Sequence, residues 1–176
     1  MTKLKNFILK IWSVESHILV HIKITRFFYA NIPGLGKIIG MLLDRILLII
    51  YGIDLISSSI NVKHLSISHP VGVLLGGNGI VSAGRVVIVS GAKFIARSPN
   101  DSEYLRLHKE KSVFVLGDNV FIGAGAVIIG PVEICSNVVV GALSLVNRSI
   151  TEPGVYVGSP AKKVSDTVTD EWVGHI

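Results

Sequence analysis

Residues 116–151, cut in sixes, read LGDNVF, IGAGAV, IIGPVE, ICSNVV, VGALSL and VNRSIT. The first place of every block is aliphatic: Leu116, Ile122, Ile128, Ile134, Val140 and Val146. The fifth place is small or β-branched: Val120, Ala126, Val132, Val138, Ser144 and Ile150. An α-helix has no period of six, because 3.6 residues per turn do not divide it. A flat strand alternates by two and does not single out one residue in six. A period that holds its phase over six blocks is a repeat, and a repeat takes precedence over local propensity. One physical solution is a coil of three short strands per turn. The aliphatic residue of each six then points inward and stacks on its counterpart one turn above.

Upstream, the same period is present but imperfect. Leu75, Val81 and Val87 keep the phase, and Lys93 stands where the next aliphatic is due, so a slip or bulge is expected there. Arg85 occupies a place where a small apolar residue is expected, and nothing local accounts for it. Residues 96–112, ARSPNDSEYLRLHKEKS, break the repeat with polar and charged residues and form an excursion from the coil. Excursions from solenoids commonly build binding faces. Before Asp54 the pattern is helical: residues 2–13, a second helix capped at Ser13 or Ser16 and ending near Ala30, and a third from about 35 to 52 closed by Gly52. Three parts are therefore expected: a helical cap over 1–53, a coil over 54–164 with its excursion, and a polar tail over 165–176. The cap would shield the open end of the coil.

Composition narrows the classes. The chain has 176 residues, 49% hydrophobic and 16% charged, with a mean hydropathy of +0.61. That apolarity implies surface hidden by self-association or by contact with a membrane. The net charge is +5, and residues 1–56 carry +4 of it, from seven Lys/Arg against three Asp/Glu. A uniform basic face for nucleic acid is not indicated, whereas a basic N-terminal patch near acidic lipid, such as an inner-membrane surface, or near an anionic partner is expected. The longest apolar run, Ile38 to Ile53, contains Asp44 and Arg45 and falls short of the ~20 residues a spanning helix needs. With no convincing export signal, a cytoplasmic location is expected. One cysteine excludes an internal disulfide framework, and Cys135 reads as a turn residue. The six histidines do not point to a metal site.

The phased blocks, the run Ile122-Gly123-Ala124-Gly125-Ala126 and the closing Val157-Gly158-Ser159-Pro160-Ala161-Lys162 resemble the hexapeptide-repeat acyltransferases. Within them the chain is most similar to the serine acetyltransferase-like branch, which includes polysaccharide O-acetyltransferases. The resemblance covers roughly residues 30 to 165. It implies a mainly β fold, a left-handed parallel β-helix with a short N-terminal helical cap, assembled as a homotrimer and using acetyl-CoA without a metal.

Transfer of an acetyl group to a hydroxyl needs a base, a group that orients the base, and donors facing the developing oxyanion. Histidine suits the base near neutral pH. His69, in Ser68-His69-Pro70-Val71-Gly72, resembles the family's catalytic motif. Asp54, fifteen residues earlier, matches the aspartate that pairs with that histidine in the serine branch. The resemblance also makes Gly123, Ala124, Gly141 and Ala142 the wall of the CoA channel, with Lys162 and Lys163 meeting the nucleotide phosphates. Arg106 and His108 resemble a late Arg-His pair of the serine enzymes, although their spacing to Ile122-Gly123 is longer by about five residues. Those enzymes place an Asp before the histidine, and here that place is Ser68. The departure favours a sugar hydroxyl in surface-polysaccharide synthesis as the acceptor. Serine O-acetylation is the alternative, and a non-catalytic binding solenoid is the reading from another class.

Overall fold

The computed structural model describes residues 13–76, 79–97, 114–166 and 168. Two helices lead into a parallel β-helix. Helix α1 spans Val14–Asn31, with the Ser13 hydroxyl accepting from the Ser16 amide at its N-cap. Helix α2 spans Leu35–Tyr51 and ends on Gly52 at φ 66, the left-handed cap that only glycine adopts without cost. The helix expected over 2–13 lies outside the described residues.

Among the described residues the coil has thirteen strands: β1 (Asp54–Leu55), β2 (Ile60–Ser68), β3 (Leu74–Leu75), β4 (Ile80–Val89), β5 (Lys93–Ala96), β6 (Phe114–Leu116), β7 (Val120–Ile122), β8 (Val127–Gly130), β9 (Val132–Ile134), β10 (Val138–Val140), β11 (Leu145–Val146), β12 (Gly154–Val157) and β13 (Lys162–Ser165). One face stacks β1-β3-β5-β8-β11 in parallel. A second stacks the end of β2 and of β4 under β7, β10 and β12, and a third stacks their beginnings under β6 and β9. The fold is a four-turn left-handed parallel β-helix with a helical cap. Strand β13 returns antiparallel to β12, a reversal the repeat pattern does not announce.

The six-residue period over 116–151 places its residues as expected. Leu116, Ile122, Ile128, Ile134, Val140 and Val146 are all buried in one core, joined there by the fifth-place residues Val120, Ala126, Val132, Val138 and Ile150. Each short strand thus points in, out, in. In the earlier coils the phase differs by one residue. Leu75 is in the core as expected, but Ile88 and Phe94 stack under the first-place residues Ile122 and Ile128 where Val87 and Lys93 were due, with Ile80 and Val86 under the fifth-place column. The cause is coil length. Phe114 pairs with Val132, 18 residues on, but Ile60 pairs with Ile80, 20 residues on. The extra residue that shifts the register between Val62 and His64 brings Arg85 opposite His64, and Val86 takes the inward place. This accounts for Arg85: it occupies a bulged corner, and its amide donates to Asp118 Oδ1 at 2.7 Å. That hydrogen bond, aided by the Asn119 amide, holds the Asp118 carboxyl below its ordinary range.

The joint between cap and coil is polar. Asp44, buried within α2, accepts from the Tyr29 hydroxyl at 3.0 Å, from the Ser57 amide at 3.2 Å and from the Ser57 hydroxyl at 2.5 Å. Burial, with the Asp44 carboxylate beside it, pushes the Tyr29 phenol up to about 12. Asp44 interrupts the apolar run for a structural reason: it ties both helices to the first coil.

Candidate active site

The corner between the second and first faces is a stack of tight turns. Val73 donates to Pro70 O, Ala92 to Val89 O and Ala126 to Gly123 O, each at 3.1 to 3.2 Å. The third residue of each turn has positive φ: Gly72 at 78, Gly91 at 70 and Gly125 at 66. Such turns require φ > 0 at that place, which is why the glycines recur. Each of these glycine amides donates to a carbonyl of the coil below: Gly72 to Gly52, Gly91 to Val71 and Gly125 to Ser90. The last coil departs from this rule. Leu143 holds the position at φ 58 with 80% of its surface exposed.

His69 stands immediately before the first of these turns. Ser68 pairs with Val89, an offset of 21, whereas Leu74 pairs with Lys93, an offset of 19. The first coil therefore carries two more residues at this corner than the coil above it. His69 and Pro70 occupy the excess, and His69 is exposed at φ 50. A residue before proline is normally extended, so this is an uncommon and costly conformation. A bulge of this kind re-aims a side chain off the regular surface. Ser68, its predecessor, is only 7% exposed.

Asp54 is exposed on β1. Its amide donates to Val73 O at 3.0 Å, which fixes its backbone to the turn that follows His69. The expected side-chain pair is not made: no hydrogen bond or ion pair links Asp54 to His69. Both residues are exposed, and among the described residues nothing draws the carboxylate across the corner. Catalytic hydrogen bonds commonly tighten only when substrate is bound.

The small residues of the expected donor wall have an internal explanation. A Cβ on Gly123 would lie 2.7 Å from the Ala142 amide nitrogen, and one on Gly141 would lie 2.6 Å from Val157 Cγ1. The glycines therefore let successive coils stack, whatever lies outside them. Ala142 is exposed and Ala124 half-buried on the same corner, one coil apart. Lys163 is held by Glu152 at 3.1 Å and Asp166 at 2.6 Å, which raises its ammonium pKa further. Lys162 is exposed and lines a cleft of about 350 Å³ with Arg148, Tyr156 and Pro160. Arg148 is a cation that sequence reasoning did not single out; its only cue was a position just before the final turn of the coil. Arg106 and His108 lie outside the described residues. Among the described residues, no three His, Cys, Asp or Glu side chains gather as metal ligands. Cys135 sits at a turn, half-buried, and burial pushes its thiol pKa up, the opposite of an activated nucleophile.

Residues 115–148 match the family described as bacterial transferase hexapeptide (six repeats). The chain is 34% identical over 98 residues to a serine acetyltransferase of Staphylococcus aureus, covering 56% of this chain and 42% of that protein. It is 30% identical over 78 residues to a chloramphenicol acetyltransferase of Klebsiella aerogenes, covering 44% of this chain and 37% of that one. The matched stretch thus spans less than half the length of these curated relatives. In fold the chain is similar to the crystal structure of serine acetyltransferase in complex with coenzyme A from Brucella abortus, with a TM-score of 0.71. That match has 20% identity and covers 88% of this chain and 57% of that one. The repeat is thus similar to that of the bacterial hexapeptide transferases, and the fold to that of a serine acetyltransferase.

Proposed function

We propose that this protein is an acetyl-CoA-dependent O-acetyltransferase in which His69 is the general base. The observation that carries the reading is the two-residue extrusion that lifts His69 out of the coil in a costly backbone conformation. A ring nitrogen of His69 takes the proton of the acceptor hydroxyl as its oxygen attacks the thioester carbonyl carbon. The carbon–sulfur bond breaks, and the proton passes to the leaving CoA thiolate. Asp54 is the carboxylate anchored to the same turn, and its role is to orient the imidazole when the acceptor is bound. The donor runs along the stacked corner past Ala124 and Ala142. From the coil of His69 to that of Ser159 is four steps, about 19 Å at the usual strand spacing. Lys162 and Arg148, at that far end, are placed to meet the nucleotide phosphates. The coenzyme A held by the Brucella relative supports this donor. Assembly as a homotrimer belongs to the same reading, and its check is the mass by light scattering.

Two acceptors remain in contention. The relatives weigh towards L-serine, since the S. aureus protein of 34% identity is a serine acetyltransferase, and this favours serine over the sugar expected from the sequence. A sugar hydroxyl is retained on one observation: Ser68, buried and uncharged, stands where the serine enzymes carry an aspartate. Thiol release from acetyl-CoA decides between them, measured with L-serine and with nucleotide sugars or polysaccharide repeat units. Turnover with serine alone removes the sugar, and turnover with saccharides alone removes serine. His69→Ala should lower kcat by about 10²- to 10⁴-fold. Unchanged turnover in that variant, or no turnover with any acceptor, would return the chain to the class of binding solenoids.

A further inference from the structure

Helix α2 is turned inside out relative to an ordinary surface helix. Its inward stripe is Gly36, Gly40, Asp44 and Leu47. The two glycines are there because α1 lies against them: a Cβ on Gly36 would overlap Phe28 O, and one on Gly40 would lie 2.6 Å from the Tyr29 ring. The aliphatic residues are consequently outward. Ile38, Met41, Leu42, Ile46 and Ile49 follow helical spacing along the opposite stripe, and Ile49 is 80% exposed. Phe27 and Ile24 extend the same character on α1. The charges on this surface have one sign. Lys23, Arg26, Lys37 and Arg45 are exposed, whereas Asp44 is buried and Glu15 half-buried. Arg45 stands within the apolar stripe itself, between Leu42 and Ile49.

We propose that this face docks on an anionic bilayer surface, with α2 lying in the headgroup boundary. An aliphatic stripe studded with long basic side chains and free of exposed acids is the pattern of an interfacial helix. The basic side chains reach up to the lipid phosphates while their stems stay among the acyl chains. Neither described helix is long and apolar enough to cross a membrane, so the face lies on the bilayer and does not span it. A second copy of the chain fits less well. A two-fold contact would press the stripe against its own equivalent and bring the Arg45 guanidiniums together with no acid to separate them. The inference does not depend on the acetyltransferase reading.

The test uses the full chain with extruded vesicles of phosphatidylcholine, with and without phosphatidylglycerol, in low and high salt. The protein should sediment with phosphatidylglycerol vesicles and be released by salt, and it should ignore pure phosphatidylcholine. The double variant Leu42→Glu, Ile49→Glu should reduce the bound fraction roughly tenfold or more, with circular dichroism and mass by light scattering unchanged. Arg45→Glu with Lys37→Glu should abolish the preference for phosphatidylglycerol without touching an aliphatic residue. Absence of binding to phosphatidylglycerol vesicles overturns the proposal. So does equal binding by the Leu42→Glu, Ile49→Glu variant, or a fall of that variant to a smaller oligomer, which would make the face a contact between copies.

Discussion

His69 illustrates how a single side chain acquires a role from the chain around it. Among the described residues, three other non-glycine residues have positive φ: Asn119, Asn137 and Leu143. The two asparagines are a residue type that tolerates this conformation, and they stack, with Asn119 Nδ2 donating to Asn137 Oδ1 at 3.0 Å. His69 precedes a proline, which disfavours this conformation further, so the bulged corner sustains it. Asp54→Asn tests the orienting role. It should reduce kcat by about tenfold or more while leaving KM for acetyl-CoA unchanged, as expected of a group that acts through the imidazole. Tyr29 offers a prediction on stability. Its pKa is raised from 10.0 to about 12, so the neutral phenol is favoured in the folded state. The stability it contributes is complete below pH 10 and is lost as pH rises towards 12. Tyr29→Phe removes the hydrogen bond to Asp44 and should cost about 1–3 kcal/mol in denaturant unfolding at neutral pH. The same variant should flatten the loss of stability between pH 10 and 12.

Within elements, the recurring theme is what a missing Cβ permits. Gly123→Ala would drive a methyl into the backbone of the coil above, at 2.7 Å from the Ala142 amide nitrogen. Backbone cannot move aside as a flexible side chain does, so a loss of about 1–3 kcal/mol is expected in thermal or denaturant unfolding. The loss should appear without acetyl-CoA present, because the glycine serves coil stacking. The coil-to-cap joint is governed by different physics. Asp44→Ala would leave the Ser57 amide and hydroxyl and the Tyr29 hydroxyl without their partner. Each unpaired buried group costs about 1–3 kcal/mol, and the sum should fall on the helices.

For the whole molecule, the solenoid contacts only neighbouring coils, so stability is local along its axis. Hydrogen exchange should therefore separate two units in Asp44→Ala. Amides of α1 and α2 should exchange faster, while those of β7, β10 and β12 keep their protection, since their packing is two coils or more away. Uniform loss of protection would mean that cap and coil unfold together. At this scale the apolarity of the chain also finds its place. The mean hydropathy of +0.61 implied hidden surface, and the described helices carry that surface on the outside of α2.

The repeat over 116–151 was legible in the sequence because a period of six has one cheap geometric solution, and its coils keep a length of 18 residues until the last, where Ile134 meets Ile150 16 residues on. The caps were legible for similar local reasons: Ser13 at one helix start and Gly52 at one helix end. His69 and Asp54 could be nominated because their motif and spacing resemble those of the serine acetyltransferase-like branch. What only the tertiary structure decided was register where coils differ in length. One extra residue at one corner placed Arg85 on a bulge and turned Val86 inward, and two extra residues at another corner extruded His69. It also decided partnership. Asp44 became a joint and Lys163 an ion-paired strut, while Asp54 and His69 stayed apart in the single chain. Local pattern records which residues want burial or a turn. Which side chains meet depends on the stacking of coils distant in sequence, and no period encodes that.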